Sequence, residues 1–317
     1  MKPHRSLTGL MAALALAASS VLAADDLRDF KNLEGVVIRA KVIAIQGTNV
    51  KIRRGDGREF TLGIDKLSPE DQAYLKDWKP TTGPSSFGKK EDLTIGPPPS
   101  RLDLSDFYKK HVDYDGLPIV SSEKVPDKAL LEARKIVAMM VAKNPRMIDK
   151  LVKNKVRVAI MASTEMTTDI PEHSDLTPKD YWDKRARGVG ATHARPATSG
   201  AEENLLNQPG DRYQGENIFL HEFAHTLHLM AIVDLDAGFD AKLKKAYANA
   251  LATGLWKGTY AASDYKEYWA EGVQSWFDAN MEAKIPNGIH NEINTHKELQ
   301  KYDPELYALI SEWLPEP

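Results

Sequence analysis

Residues 218–230 constrain this chain more than any other stretch. They are apolar nearly all the way round a helix, yet they carry His221-Glu222-Phe223-Ala224-His225. Ile218, Phe219, Leu220, Phe223, Leu227, Leu229 and Met230 leave almost no wet face, so a helix here must be buried. Residues four apart share one helix face, and His221 and His225 therefore aim two imidazoles at one point. Two buried imidazoles need partners to escape a desolvation penalty, and a metal ion supplies one. Zinc accepts imidazole nitrogen at about 2.0–2.1 Å. Glu222 projects about 100° around the helix from His221, where it can hold a metal-bound water without ligating. The alternative is a core helix whose histidines are satisfied by neighbours. The chain has no cysteine, which excludes disulfides, thiolate catalysis, iron–sulfur clusters and Cys-ligated zinc. Any metal must be held by His, Asp or Glu.

A third ligand is needed. A metzincin would place Gly and His three and six residues beyond His225, where this chain has His228 and Ala231. That class is excluded, and His228 reads as a helix neighbour or a group supporting the ligands from outside. The stretch from Tyr260 to Glu271 offers two carboxylates, Glu267 and Glu271, four apart and so on one face. One can ligate while the other accepts the outer N–H of a ligand histidine. The alternative is a solvent-facing pair.

This combination resembles the gluzincin metallopeptidases, within them the anthrax-lethal-factor-like and Pro-Pro endopeptidase branch. That branch carries HExxH, a Tyr some 40 residues on, and seven residues later a Glu in an E-aromatic-aromatic-A-E string. Here Glu267-Tyr268-Trp269-Ala270-Glu271 begins 42 residues after His225 and seven after Tyr260. The resemblance implies a zincin-like fold with one Zn2+ on His221, His225 and Glu267. It makes Glu222 the base on the water, Tyr260 the oxyanion donor and Glu271 a group outside the ligand set. Ala224 stands where relatives often carry Gly, a departure that helix geometry tolerates. The implied reaction is peptide-bond hydrolysis. Zinc lowers the pKa of its water toward ~7 and polarises the carbonyl, Glu222 moves the proton to the leaving amine, and Tyr260 binds the oxyanion. Aminopeptidases carry a Gly-x-Met-Glu-Asn string well upstream of HExxH. Gly215-Glu216-Asn217 abuts the helix and is not that string, so an endopeptidase acting on a peptide or protein is expected. The loop 187–192 through Glu202-Glu203-Asn204 reads either as a structural loop or as a cleft edge along which a peptide lies as an added strand. A second reading is an exported binding protein whose zincin domain is structural or inactive. Retention of Glu222 and Tyr260 favours the enzyme. A zinc hydrolase with a non-peptide substrate is a third.

The rest of the chain sets out the organisation. Lys2, His4 and Arg5, the apolar run 7–21 and Val21-Leu22-Ala23 read as a signal peptide over residues 1–23, cut ahead of Ala24. Without Lys2 and Arg5 the chain holds 40 basic and 45 acidic residues, a net charge of −5. That balance argues against nucleic acid or an anionic membrane as partner. No later stretch reads as the ~20 apolar residues of a spanning helix. The expectation is an exported protein, periplasmic or secreted.

Residues 28–78 are strand-like over 36–45, 49–53 and 59–63. The turn Arg54-Gly55-Asp56-Gly57 reads as an Asp-Gly hairpin rather than an Arg-Gly-Asp adhesion motif. Ser68 caps a short helix with Pro69 at its first position. Short strands and one helical turn suggest a small barrel. Gly35, Ala40, Val42, Val50, Ile52, Gly57, Phe60, Leu62, Leu67, Ser68, Asp71, Tyr74 and Leu75 form a pattern similar to the SH3-like homology domain of actin-patch adaptor proteins. Such a module implies a cell-wall or protein ligand. Residues 79–101, rich in Pro and Gly, read as a linker. From 102 to 317 helices are expected at 126–143, 147–153, 178–187, 216–233, 239–253 and 264–281, with two shorter ones to 313. A strand is expected at 155–162, and residues 188–207 read as loop. The fold class is α+β: a small all-β SH3-like barrel followed by a mainly helical zincin-like catalytic domain.

Overall fold

The computed structural model describes residues 28–54, 59–78 and 93–317. The expected signal peptide, the Asp56-Gly57 turn and linker residues 79–92 lie outside them. The chain divides into two compact units, Met1–Gly83 and Pro84–Pro317, and is mixed α+β.

In the first unit, strands β1 (Arg28–Lys31), β2 (Val37–Gln46), β3 (Asn49–Arg54) and β4 (Glu59–Gly63) pair antiparallel in that order. Period-2 alternation turns Ala40, Val42, Val50 and Ile52 to one buried face, where Phe30, Leu67 and Leu75 complete the core. Helix α1 (Pro69–Asp77) starts as the sequence predicts, with Ser68 Oγ accepting from the Asp71 N–H at 3.2 Å. Asp71 is buried, and its carboxylate accepts from the Lys31 N–H at 2.8 Å and pairs with Arg28, tying β1 to α1. Among the described residues the strands form an open meander. No β1–β4 pairing closes it into the expected barrel.

The second unit is built on a sheet of β5 (Lys110–Tyr114), β6 (Leu117–Ser121), β7 (Arg157–Met161) and β8 (Ala197–Ala201), in that order. β5 and β6 form an antiparallel hairpin, while β6, β7 and β8 run parallel. The hairpin turn is Asp115-Gly116, with φ of 48° and 91°, the left-handed pair that a two-residue turn demands. The sequence reading placed one of these four strands. The physical reason is burial: β6 and β8 are buried at every position, so neither alternates polar with apolar. β8 is also Ala-Thr-Ser-Gly-Ala, without the large β-formers that mark a strand.

Helices α2 (Asp127–Val141), α3 (Arg146–Lys153) and α4 (Lys179–Arg185) fall where expected. The short α5 (Glu202–Leu205) and β8 occupy the stretch expected as loop. Helix α6 (Ile218–Leu227) carries His221 and His225. It runs on through a π turn (His228–Ile232) into α7 (Val233–Leu235). By length and composition the run Ile218–Leu235 is long and apolar enough to cross a membrane, which the sequence reading did not anticipate. In the fold it is 67% buried inside the unit and serves as its core helix. Helices α8 (Phe239–Ala252), α9 (Tyr265–Trp276), α10 (His296–Tyr302) and α11 (Pro304–Trp313) complete the unit. Two glycines permit close packing around the site: an added Cβ would lie 2.9 Å from the Phe219 ring at Gly200, and 2.5 Å from Leu306 Cδ2 at Gly272. Residues 93–101, at the end of the Pro-rich stretch, belong to this unit. Gly96 exchanges backbone hydrogen bonds with His111 at 3.2 and 2.7 Å, and Ile95 packs on the core.

Candidate metal centre

Two helix starts set the site. Asn217 caps α6, its side chain accepting from the Leu220 N–H at 2.9 Å, and Asp264 caps α9 by accepting from the Lys266 N–H at 2.8 Å. The helices are then held together through the Trp269 indole, which donates to the Ala224 carbonyl at 3.0 Å. This packing brings Glu267 of α9 to the two imidazoles of α6. His221 Nε2, His225 Nε2 and Glu267 Oε2 form a triangle with all three edges at 3.1 Å. Ligands at ~2.05 Å in a tetrahedral shell stand about 3.3 Å apart, so the triangle is the right size for one zinc-like ion.

The chemistry of the donors points the same way. Gln274 is fully buried on α9, and its Oε1 accepts from His221 Nδ1–H at 2.7 Å. The orientation of that amide is set by its Nε2, which donates to the Asn217 carbonyl at 3.3 Å. The Gln274 bond keeps a proton on Nδ1 and turns Nε2 toward His225 Nε2 and a carboxylate oxygen, where a neutral ring offers a lone pair to a cation. Two imidazole nitrogens and a carboxylate oxygen this close need a proton or a metal ion shared among them. The local field favours one. Burial acts to lower the His221 pKa, but the Glu267 hydrogen bond and the charges of Glu222 and Glu271 outweigh it and push it up to about 10. Burial acts to raise the Glu267 carboxyl, and the hydrogen bonds from His221 and His225 reverse this, holding it well below the usual carboxylate range. A divalent cation in place of a proton satisfies the same field.

Glu271 lies beside the triangle, with Oε1 3.7 Å from His221 Nδ1. That is too long for a hydrogen bond. The outer N–H of His221 goes to Gln274, a residue the sequence reading did not single out because it is neutral. Glu271 is instead held by Asn280 Nδ2 at 3.0 Å, and burial raises its pKa against the pull of His221. His228 does not support the ligands. It is fully buried, its Nε2 bonds Asp240 Oδ1 at 2.9 Å, and its ring packs among Phe239, Tyr265 and Trp269. It stands three residues further along the helix than His225, and its side chain is directed to Asp240 and the core rather than to the triangle.

The triangle opens onto a cleft of about 960 Å³ whose lining includes Glu222, Tyr260, Arg185, Trp182, Ile289 and residues 186–190. Tyr260 opens a 3-10 turn pinned by its own N–H, which donates to the Ile289 carbonyl at 2.8 Å. Burial and the charge of Glu267 push its hydroxyl up to about 12. The edge of the cleft is the segment around Val189, which bridges Ser199 of β8: the Ser199 N–H donates to the Val189 carbonyl at 2.9 Å, and the Val189 N–H to Ser199 Oγ at 3.1 Å. This segment lies directly on α6. A Cβ at Gly188 would stand 2.8 Å from Glu222 Cγ, and one at Gly190 would stand 2.8 Å from His225 Cβ. Glu202, Glu203 and Asn204, grouped with it in the sequence reading, do structural work instead. Glu203 pairs with Arg187 at 2.6 Å, and Asn204 Oδ1 accepts from the Ile218 N–H at 2.8 Å. A second buried pair at the cleft, His290 Nε2 to Glu216 Oε2 at 3.2 Å, carried no sequence signal.

No family model matches this chain, and no curated protein matches it. Among solved structures it is similar to the Pro-Pro endopeptidase PPEP-2 from Paenibacillus alvei, with a TM-score of 0.35 and 13% identity over 62% of this chain and 96% of that one.

Proposed function

We propose that the second unit is a zincin-like, zinc-dependent endopeptidase. The observation that carries this reading is the 3.1 Å triangle of His221 Nε2, His225 Nε2 and Glu267 Oε2, with Gln274 directing a lone pair into it. Two imidazoles and a carboxylate suit zinc. An ion held there would polarise a scissile carbonyl and acidify water. Glu222, one residue along α6 and facing the same cleft, takes the proton of the attacking water and returns it to the leaving amine. Tyr260 donates its hydroxyl to the developing oxyanion, and its raised pKa of about 12 keeps that proton in place at neutral pH. The peptide lies along the Val189 segment. Val189 spends its backbone groups on Ser199, and those of Gly188 and Gly190, which an extended segment turns to the opposite side and which meet no partner among the described residues, are left for an added strand.

Residues 1–23 we read as a leader that exports the chain to a periplasmic or extracellular space, and residues 28–78 as an SH3-like module for a cell-wall or protein ligand. Sequence pattern supports both, and neither calls for nucleic acid.

Elemental analysis of the purified protein tests the metal reading, with Glu267→Gln and Glu271→Gln alongside. One equivalent of zinc, lost in Glu267→Gln and retained in Glu271→Gln, is expected, together with peptide cleavage that Glu222→Gln abolishes. Wild-type protein that stays metal-free when zinc is added would sink the reading.

A further inference from the structure

Resting on the endopeptidase reading, we propose that the cleft selects peptides bearing a carboxylate within about one residue of the scissile bond, and that Arg185, backed by Arg212, binds it. The carboxylates of the cleft are already committed. Glu222 is taken up by the attacking water, Glu267 faces the two imidazoles, Glu271 is held by Asn280, and Glu216 pairs with His290. Of the nearby arginines, Arg187 pairs with Glu203 and Arg195 with Asp175. Arg185 and Arg212 differ. Both are exposed in the cleft, and both bond to neutral oxygens: Arg185 to the Tyr181 hydroxyl at 2.6 Å and the Tyr260 hydroxyl at 3.4 Å, Arg212 to the Lys184 carbonyl. Among the described residues neither meets a carboxylate. The uncommitted charge on this wall is therefore positive, and it calls for an anionic group on the substrate.

The position of Arg185 is built. The last turn of α4 is anchored by the Tyr213 hydroxyl, which donates to the Arg185 carbonyl at 2.5 Å, and by Arg212 on the Lys184 carbonyl. Asp183 fixes the same helix from the other side, accepting from the Thr168 N–H at 3.0 Å and its hydroxyl at 2.9 Å. The guanidinium then lies 6.0 Å from the Tyr260 ring centroid. With the Tyr260 hydroxyl on the scissile carbonyl, a guanidinium nitrogen 3.4 Å from that hydroxyl is within reach of a carboxylate on a residue flanking the scissile bond. A guanidinium there can engage a carboxylate through two parallel N–H donors. The carboxylate can come from an Asp or Glu side chain or from the peptide's own C-terminus.

The test uses the full chain loaded with zinc and fluorogenic peptide pairs that differ only as Glu against Gln, or Asp against Asn, beside the scissile bond. Each peptide is made with a free and an amidated C-terminus. Wild-type protein is expected to favour the acidic member about tenfold or more in kcat/KM. Arg185→Gln is expected to bring that ratio close to one. Arg185→Glu is expected to favour the Lys member of a Lys/Gln pair, a reversal that a merely structural lesion does not produce. A preference that survives terminal amidation assigns the carboxylate to a side chain, and one lost on amidation assigns it to the C-terminus. Titrating the same peptides onto Glu222→Gln by fluorescence anisotropy reads binding without turnover. Equal ratios in wild type and Arg185→Gln overturn the proposal. Acid-selective binding with no cleavage of any peptide overturns the endopeptidase reading and leaves the role of Arg185 standing, whereas cleavage without acid selectivity does the reverse.

Discussion

Replacing Gln274 with leucine separates the metal-site geometry described above from the arrangement in which Glu271 supports His221. Gln274→Leu keeps most of the side-chain volume and removes the acceptor 2.7 Å from His221 Nδ1. The nearest other acceptor, Glu271 Oε1 at 3.7 Å, is out of hydrogen-bonding range without movement. Two effects follow. An orphaned buried N–H costs about 1–3 kcal/mol of stability. Loss of the group that orients a ligand histidine typically weakens metal binding ~10- to 100-fold, or about 1.4–2.8 kcal/mol. Glu271→Gln leaves the Gln274 bond in place and keeps an oxygen for Asn280. Burial already pushes the Glu271 carboxyl toward its neutral form, so its replacement is expected to stay below the ~10-fold end of that range. Competition against a chromogenic zinc chelator gives the affinities, and urea unfolding of metal-free protein isolates the stability cost. A Gln274→Leu protein that binds zinc like wild type, or a Glu271→Gln protein that loses more affinity than it, refutes the assigned bond.

Three further outcomes are expected. Gly190→Ala puts a Cβ 2.8 Å from His225 Cβ and 3.2 Å from the Glu222 carbonyl; both neighbours belong to α6, so we expect ~1–3 kcal/mol of lost stability and weaker zinc binding, and an unchanged Tm and affinity would contradict the packing. Tyr260→Phe is expected to lower kcat by ~10²–10³ with KM little changed, and a loss confined to KM would remove it from the oxyanion role. The third concerns His173, fully buried with Nε2 3.0 Å from Ser199 Oγ; burial, helped by the Arg195 charge, lowers its pKa to about 4. Between there and the ordinary ~6.5 the unfolded chain takes up a proton that the folded ring refuses. Stability from this group therefore rises with pH across that window, by up to ~1.4 kcal/mol per pH unit, and is lost on acidification. His173→Gln should flatten the slope measured by urea unfolding between those limits, and an equally steep slope would exclude His173 as its source.

Local features of this chain were legible because their causes are local. The helical periods of α2, α3, α6, α8 and α9 lie within single segments, as do the caps Ser68 and Pro69. The convergence of His221 and His225 is likewise a property of one helix face, independent of anything it packs against. What depends on distant partners was not readable. β6 and β8 show no alternation because both of their faces are covered by other parts of the chain. Closure of the small sheet depends on a β1–β4 pairing that the pattern of each strand does not specify, and the described strands do not make it.

The site divides along the same line. The sequence by itself determined that a buried helix holds two imidazoles and a carboxylate at i, i+1 and i+4, and that a second helix can offer Glu267 or Glu271. Only the tertiary structure decided which group does what. Glu267, Glu271 and Gln274 stand at i, i+4 and i+7 on one face of α9. The angle and offset at which α9 crosses α6 put Glu267 on the two Nε2 atoms and Gln274 on the outer N–H, with Glu271 between them. The same packing turned His228 toward Asp240, and set Arg185, 75 residues before Tyr260 in the chain, against its hydroxyl. Residue spacing along a helix is set by backbone geometry and can be counted, whereas a crossing between helices is set by the side chains of the whole core and appears only when the core is assembled.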